Sequence, residues 1–333
     1  MKSNKILWVH NFDTKFMNSG IFMFNFYKYL LKKGVKIDLY YAGNMMSFIN
    51  LLKQLIAIRK KAKKYDVVHV QFGSMLGFLV RFSLIGLNLN KVITIRGSDF
   101  YRNKISGKAR YLHSFFAVLF TKNSIRSYDK VIVVSERMKK EIIAKFSLYP
   151  RKIEVHPTPI NVDDFDIKNS KKKKRVKKVI FGTVNINSGL KRYSLAMDAV
   201  NIAIKNSQSK YKIEIVVAEK IIHSKMKDLY NSADLLPMTS VYEGWPNVVK
   251  EALSCGVPFV TTDISDMKLL AKKSNGICKI SRPDKFELAK KIEDSLSNSL
   301  SLKNREMLRS LIMDMSLENS MKKIIPLYSS FKN

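Results

Sequence analysis

Cysteine is nearly absent. Cys255 and Cys278 are the only two thiols, which excludes a disulfide-built framework and reads as a chain of a reducing compartment. Carboxylates are scarce beside cations: 27 Asp and Glu stand against 60 Lys and Arg, a net charge of +33. Such a balance calls for an anionic partner, either an acidic membrane face or an anionic substrate, and leaves the fold open. Nucleic acid is not the expected partner, because RNA-recognition aromatics, zinc-ligand spacing and a helix-turn-helix pattern are all missing. No apolar run reaches the roughly 18 residues of a membrane span. The longest candidate, 78–89, is interrupted by Arg81. No signal peptide is evident, since the short apolar run 6–9 reads as a first strand. A G-x-G-x-x-G loop is absent, which weakens any dehydrogenase reading. The one Asp-x-Asp, Asp164-Phe-Asp166, adjoins a charged stretch and reads as solvated surface, so no metal or cofactor is expected.

What is present is alternation. Short apolar β-type runs at 5–10, 36–41, 67–72, 92–96, 131–135 and 153–156 are separated by helix-length segments. A second series follows at 179–184, 213–218, 235–239, 259–262 and 277–280. Runs apolar on both faces suit parallel strands buried between helices. Between the series lies Asn169-Ser-Lys-Lys-Lys-Lys-Arg-Val-Lys-Lys178, whose charge cannot be buried. The expected organisation is an α/β chain of two doubly wound, Rossmann-like domains: an N-terminal domain over 1–168, a basic linker over 169–178, a C-terminal domain over 179–315 and a terminal helix over 316–333. That last helix should carry Leu317, Met321, Ile324, Ile325 and Tyr328 on one side.

The most informative stretch is Glu243-Gly-Trp-Pro-Asn-Val-Val-Lys-Glu251-Ala-Leu-Ser-Cys-Gly-Val-Pro258. Pro246 is preset for a first helical turn, and Gly256 with Pro258 supplies a stop, so a helix should start near Asn247. Asn247 and Glu251 then share a face, while Val248, Ala252 and Cys255 form an apolar one. Free N–H groups and the helix dipole at that start favour a diphosphate. A carboxylate one turn further in can accept hydrogen bonds from two adjacent ribose hydroxyls. A nucleotide sugar fits, with phosphates at the helix start, ribose on Glu251 and sugar near Glu243.

This string resembles the Glu-x7-Glu signature of glycosyltransferase family four, retaining enzymes of the GT-B fold. The resemblance extends to Tyr65-Asp-Val-Val-His-Val-Gln-Phe-Gly73, Val92-Ile-Thr-Ile-Arg-Gly-Ser-Asp99, Asp129-Lys-Val-Ile-Val-Val-Ser135 and Lys152-Ile-Glu-Val-His-Pro157. It implies two facing Rossmann-like domains, the last helix crossing back to the first, and an N-terminal domain that takes the acceptor. It implies that Glu243 contacts the donor sugar and Glu251 the ribose, with Gly244, Trp245, Pro246, Asn247, Val248 and Gly182 around the donor. The family's usual Arg and Lys after the glycine fall on Thr183 and Ser188 here. A Lys-Arg pair follows at the next helix start, and Lys191 and Arg192 are therefore assigned to the diphosphate, replacing a metal.

In the first domain, Ser19 and Gly20 precede an apolar helix over 22–31, and His69, Arg96 and Asp99 follow neighbouring strands at the carboxyl side where open α/β sheets bind ligands. Relatives often carry His where Arg96 stands; Arg96 is assigned to a phosphate or acceptor oxygen, with Asp99 orienting it. The acid-free stretch 100–128, with Arg102, Lys104, Lys108, Arg110, Lys122 and Arg126 among Leu112, Phe115, Phe116, Val118, Leu119 and Phe120, and the acid-free stretch 45–64 suit an anionic membrane surface. The resulting expectation is a retaining transferase using a UDP-sugar and a lipid-linked or saccharide acceptor in bacterial surface polysaccharide synthesis. It would be cytoplasmic and peripheral on the inner face of the plasma membrane. A nucleotide-sugar epimerase or hydrolase of the same fold, and an inactive partner subunit, stay open as alternatives.

Overall fold

The computed structural model describes residues 4–13, 20–43, 45, 47–168, 175–182, 188–207, 210–219 and 221–330. The chain divides into two compact units, Met1–Pro159 with Leu317–Asn333, and Ile160–Ser316.

The first unit runs β1 (Ile6–His10), α1 (Ile21–Lys32), β2 (Ile37–Tyr41), α2 (Phe48–Ala62), β3 (Val67–Val70), α3 (Ser74–Ser83), β4 (Asn90–Ile95), α4 (Lys108–Ile125), β5 (Lys130–Val133), α5 (Glu136–Phe146) and β6 (Ile153–Val155). Its strands form one parallel sheet in the order β2-β1-β3-β4-β5-β6. The strand order reverses between β1 and β3, and crevices at such a switch point bind ligands beyond the carboxyl ends of the strands. Every residue of β1 and β3 is buried, which is why these strands read as continuous apolar runs. Gly20 turns the chain into α1 at φ 68°, and a Cβ there would meet Phe12 at 2.7 Å, so only glycine fits.

The second unit holds β7 (Val176–Phe181), α6 (Tyr193–Ser207), β8 (Lys212–Val217), α7 (Met226–Ser232), β9 (Leu236–Met238), α8 (Asn247–Ser254), β10 (Phe259–Thr262), α9 (Met267–Lys273), β11 (Lys279–Ser281), α10 (Lys285–Leu296) and α11 (Leu302–Ser310). The ribbon β7-β8 and the sheet β11-β10-β9 are joined by a parallel bridge between Val179 and Leu235, which repeats the doubly wound order as β8-β7-β9-β10-β11. Ala196, Ala199, Val200 and Ala203 of α6 pack in one core with Leu288, Ile292 and Leu296 of α10. The last helix, α12 (Leu317–Ser329), belongs to the first unit. Its Leu317, Ile324, Leu327 and Tyr328 enter a core with Trp8, Met23, Phe26 and Val92.

Three details depart from the sequence reading. The division between units falls at Pro159 and Ile160 rather than at 168, because 160–168 bonds to the second unit: Asn231 Nδ2 donates to Asp166 O at 2.9 Å, and Arg309 Nη2 to Val162 O at 2.9 Å. Of the basic linker, 169–174 lies outside the described residues, and Val176–Lys178 already belongs to β7. Lysines are tolerated in that strand because their ammonium groups reach polar partners, Lys177 Nζ donating to Ser299 Oγ at 3.1 Å and Lys178 lying 3.6 Å from Glu214. On α8 the buried face is Val249, Ala252 and Leu253, with Lys250 buried beside them, whereas Val248 is half-buried and faces a cleft.

Candidate functional site

In the second unit, β7, β9 and α8 bring the carboxylates into place. The helix α8 starts at Asn247, with Pro246 in the capping position at φ −71°. Proline has no side-chain oxygen to offer, and no side chain caps the first-turn N–H groups, so this end keeps its attraction for an anion. The other end is held by α11: Arg305 Nη2 donates to Cys255 O at 2.8 Å and Arg309 Nη1 to Ser254 O at 2.7 Å. Cations on the last carbonyls complement the helix dipole and fix the axis that carries Glu251.

Glu251 is little exposed. Its Oε2 accepts from the Tyr230 hydroxyl at 3.0 Å, and His223 Nε2 lies 3.7 Å from Oε1. The neighbouring Glu251 carboxylate holds the His223 pKa above the usual imidazole range. Burial, reinforced by the Glu251 charge, pushes the Tyr230 phenol well above its ordinary range, so it stays a donor. Gly182, just after β7, is required by space: a Cβ would meet Tyr230 Oη at 2.8 Å and Val248 Cβ at 3.2 Å.

Glu243 is anchored separately. Its Oε1 accepts from Ser240 Oγ at 2.8 Å and pairs with the Lys191 ammonium. Lys191 also lines an open cleft of about 400 Å³ with Gly182, Thr239, Ser240 and Val248. Arg192 has a different task. Its Nε donates to Thr239 O at 2.7 Å and its Nη2 to Ser240 O at 3.1 Å, and the Thr239 hydroxyl donates back to the carbonyls of Lys191 and Arg192. These bonds latch the turn before α6 to the exit of β9 and hold Arg192 at φ 45°, a conformation a non-glycine residue takes only when its surroundings impose it. Among the described residues Lys191 is therefore the cation that lines this cleft, and Arg192 is a brace that sets its position. Trp245 is 6 % exposed and packs under the Lys250 ammonium, 5.3 Å from the ring. Gly244 O accepts from Ser265 Oγ at 2.6 Å. Trp245 and Gly244 thus shape the turn between Glu243 and α8. Thr183 lies outside the described residues. Among the described residues, no group of three or more His, Cys, Asp and Glu is placed to hold a metal ion; Asp166 pairs with Lys227.

In the first unit His69 is enclosed. Trp8 Nε1 donates to Tyr328 Oη at 2.9 Å, Tyr328 Oη lies 2.5 Å from His69 Nδ1, and His69 Nε2 lies 2.7 Å from Thr94 Oγ1. The indole donates to Tyr328, and each imidazole nitrogen has a hydroxyl as its partner. Burial holds His69 neutral, well below the usual range. Both ring nitrogens are satisfied, so His69 ties α12 to the sheet. Asp99 does not orient the Arg96 side chain. Its fully buried carboxylate accepts from the backbone N–H groups of Gly73 at 2.8 Å, Gly97 at 2.7 Å and Arg96 at 3.0 Å. The Arg96 guanidinium is aimed by Gln71 instead, through Nε to its carbonyl and Nη2 to Oε1, both at 2.8 Å. Gly20 shapes the turn before α1, and Ser19 lies outside the described residues.

Tyr230, His223 and Gln71 are the site residues that sequence reasoning missed. Tyr230 and His223 come from the segment before β9, whose composition carries no motif, and Gln71 lies within the strand motif 65–73, where nothing in the sequence marks it.

The element order and the parallel sheets of the two units are those of the GT-B fold. Residues 21–164 match the family model of Glycosyltransferase Family 4, and residues 169–298 match that of Glycosyl transferases group 1. The chain belongs to the glycosyltransferases of family-four type. A curated relative, an uncharacterized glycosyltransferase, MJ1607, of Methanocaldococcus jannaschii, is 24% identical over 248 residues. The match covers 64% of this chain and 62% of that protein, so the chain spans less than two thirds of its length. Among solved structures, sucrose-phosphate synthase from Thermosynechococcus elongatus is 14% identical with a TM-score of 0.71, covering 98% of both chains. The lipopolysaccharide outer core galactosyltransferase WaaB in its apo form is 14% identical with a TM-score of 0.70, over 98% of this chain and 100% of that one. Anabaena Alr3699/HepE in complex with UDP and glucose is 12% identical with a TM-score of 0.69, over 98% of this chain and 100% of that one. At these identities the likeness is one of fold.

Proposed function

We propose that the chain is a retaining glycosyltransferase that moves a sugar from a UDP-sugar to a lipid-linked or saccharide acceptor in bacterial surface polysaccharide synthesis. One observation carries the reading: Glu251, fixed by Tyr230, sits one turn inside a helix whose first N–H groups no side chain caps. A diphosphate at that start would leave Glu251 to accept from the ribose hydroxyls. Lys191, beside Glu243 in the cleft, would stabilise the charge that develops as the diphosphate departs. The departing diphosphate would then take the proton of the incoming hydroxyl on the same face of the sugar. A relative of the same fold has been solved with UDP-glucose, which supports the choice of donor.

The membrane surface belongs to the same proposal. On α2, Phe48, Ile49, Leu52 and Ile56 are exposed, Phe48 by 73%, with Lys53 and Lys60 beside them. On α4, Leu112, Phe116 and Leu119 are exposed near Lys108 and Arg110, while Val118 is buried in the core. Apolar tips among lysines and arginines suit an anionic headgroup layer. No helix among the described residues is long and apolar enough to cross a membrane.

A thermal-shift screen against UDP-, GDP- and ADP-sugars tests the donor, because a ligand that binds the folded chain raises its apparent stability. A shift with UDP-sugars above the others supports the reading; no shift with any nucleotide sugar overturns it.

A further inference from the structure

A pocket of about 390 Å³ opens in the first unit beyond the carboxyl ends of β3, β4 and β6, with Gln71, Arg96 and Thr158 in its lining. Gln71 is 2% exposed, yet its Nε2 has no hydrogen-bond partner among the described residues. Turning the amide over does not help. A guanidinium has only donors, so the oxygen must face Arg96 Nη2, and the NH2 group is the end left over. Arg96 is in a similar position. Its Nε and Nη2 are bonded to Gln71, whereas Nη1 makes only a 3.4 Å contact with Thr158 Oγ1. The guanidinium rests on the Phe22 ring, 4.6 Å from its centroid. No carboxylate bonds it among the described residues, because Asp99 directs its oxygens to backbone N–H groups. His69 cannot supply the missing acceptor, since both of its nitrogens are bonded.

An amide donor and an edge of a guanidinium that no carboxylate bonds among the described residues thus meet in one pocket, at the side of the sheet where ligands bind. Both need an acceptor, and the cation favours a negative one. We infer that this pocket is an oxyanion subsite in which Gln71 Nε2 and Arg96 Nη1 together hold a carboxylate or phosphate group of the acceptor. The word acceptor rests on the transfer reading above; the oxyanion chemistry does not. Two acceptor types carry such a group, an acidic sugar and a sugar phosphate.

Glucuronate, glucose 1-phosphate and neutral glucose are titrated by calorimetry into the wild type, Gln71→Glu and Arg96→Gln, with UDP titrated in parallel. Gln71→Glu is nearly isosteric, keeps the oxygen that Arg96 Nη2 requires and places negative charge where the free amide stood. It should be at least as stable to heat as the wild type, which separates loss of binding from loss of fold. One of the two anionic probes should bind the wild type at least tenfold more tightly than glucose, and which one identifies the acceptor type. That probe should lose roughly tenfold to a hundredfold in both variants, as expected for a charge-assisted bond, while UDP binds all three proteins alike. The inference fails if both anions bind no better than glucose, or if both variants bind the anion as the wild type does. Failure of UDP to bind the wild type would count against the transfer reading and leave the anion result standing.

Discussion

Gly182→Ala probes how the proposed donor site is built. An added Cβ would stand 2.8 Å from Tyr230 Oη and 3.2 Å from Val248 Cβ. Nonbonded carbon contacts prefer about 3.5–4.0 Å, so the hydroxyl must retreat by more than half an ångström. It then leaves Glu251 Oε2, to which it donates at 3.0 Å. A hydrogen bond to a charged group contributes about 1.5–3 kcal/mol, and the alanine returns about 0.4–1 kcal/mol by restricting the unfolded chain. The net cost should be about 1–2 kcal/mol, with UDP binding weakened because Glu251 is no longer held. In a Tyr230→Phe background the clashing oxygen is gone and the bond already lost, so only the Val248 contact opposes the alanine and the cost should fall near zero. Urea unfolding of the four proteins of this cycle gives the coupling, expected at about 1–2 kcal/mol. Additivity within about 0.5 kcal/mol would refute the argument that Gly182 exists to let Tyr230 reach Glu251.

His223 should make stability depend on pH. Its folded pKa is raised by Glu251, so its contribution is complete below the unfolded value near 6.5 and disappears as pH rises through the folded one. His223→Gln should lower the melting temperature more at pH 5.5 than at pH 9, and an equal loss at both would contradict the pairing. Lys191→Ala should reduce kcat by about 10²–10³ while EDTA leaves the wild type active; loss with EDTA that Mn²⁺ or Mg²⁺ restores would show a metal in the place given to Lys191. Vesicle sedimentation should retain the protein on anionic lipid at low salt and release it with added salt or with Lys108→Glu and Arg110→Glu. Equal binding to neutral vesicles, or none to either kind, would remove α2 and α4 from the account.

Much of the architecture was legible because parallel strands leave a strong signal. The run Ile6-Leu-Trp-Val-His10 is buried throughout, and it looks so in the sequence. The start of α8 was equally plain from Pro246 and its end from Gly256. The signal failed where charge and burial part company. Lys177 is buried within β7, yet its ammonium ends on Ser299, so this strand reads as linker in the sequence. Side-chain partners far away in sequence left no trace either. His69 is closed by Tyr328, 259 residues on, and Tyr230 reaches Glu251 from 21 residues away. Arg192 bonds to main-chain carbonyls, which every residue carries and which therefore mark nothing. A Lys-Arg pair at a helix start could thus be read as two equal cations, whereas one faces the cleft and the other braces the turn.

Calorimetric titration of UDP into the wild type, Glu251→Ala and Glu243→Ala tests the nucleotide-sugar assignment most directly. Two ribose hydroxyls bonding to one carboxylate put the loss in Glu251→Ala at about 1.5–3 kcal/mol or more, roughly tenfold to beyond a hundredfold in Kd. Glu243→Ala should bind UDP as the wild type does and weaken only for the sugar donor. Equal UDP affinity in the wild type and Glu251→Ala would contradict the account, whatever the behaviour of Glu243.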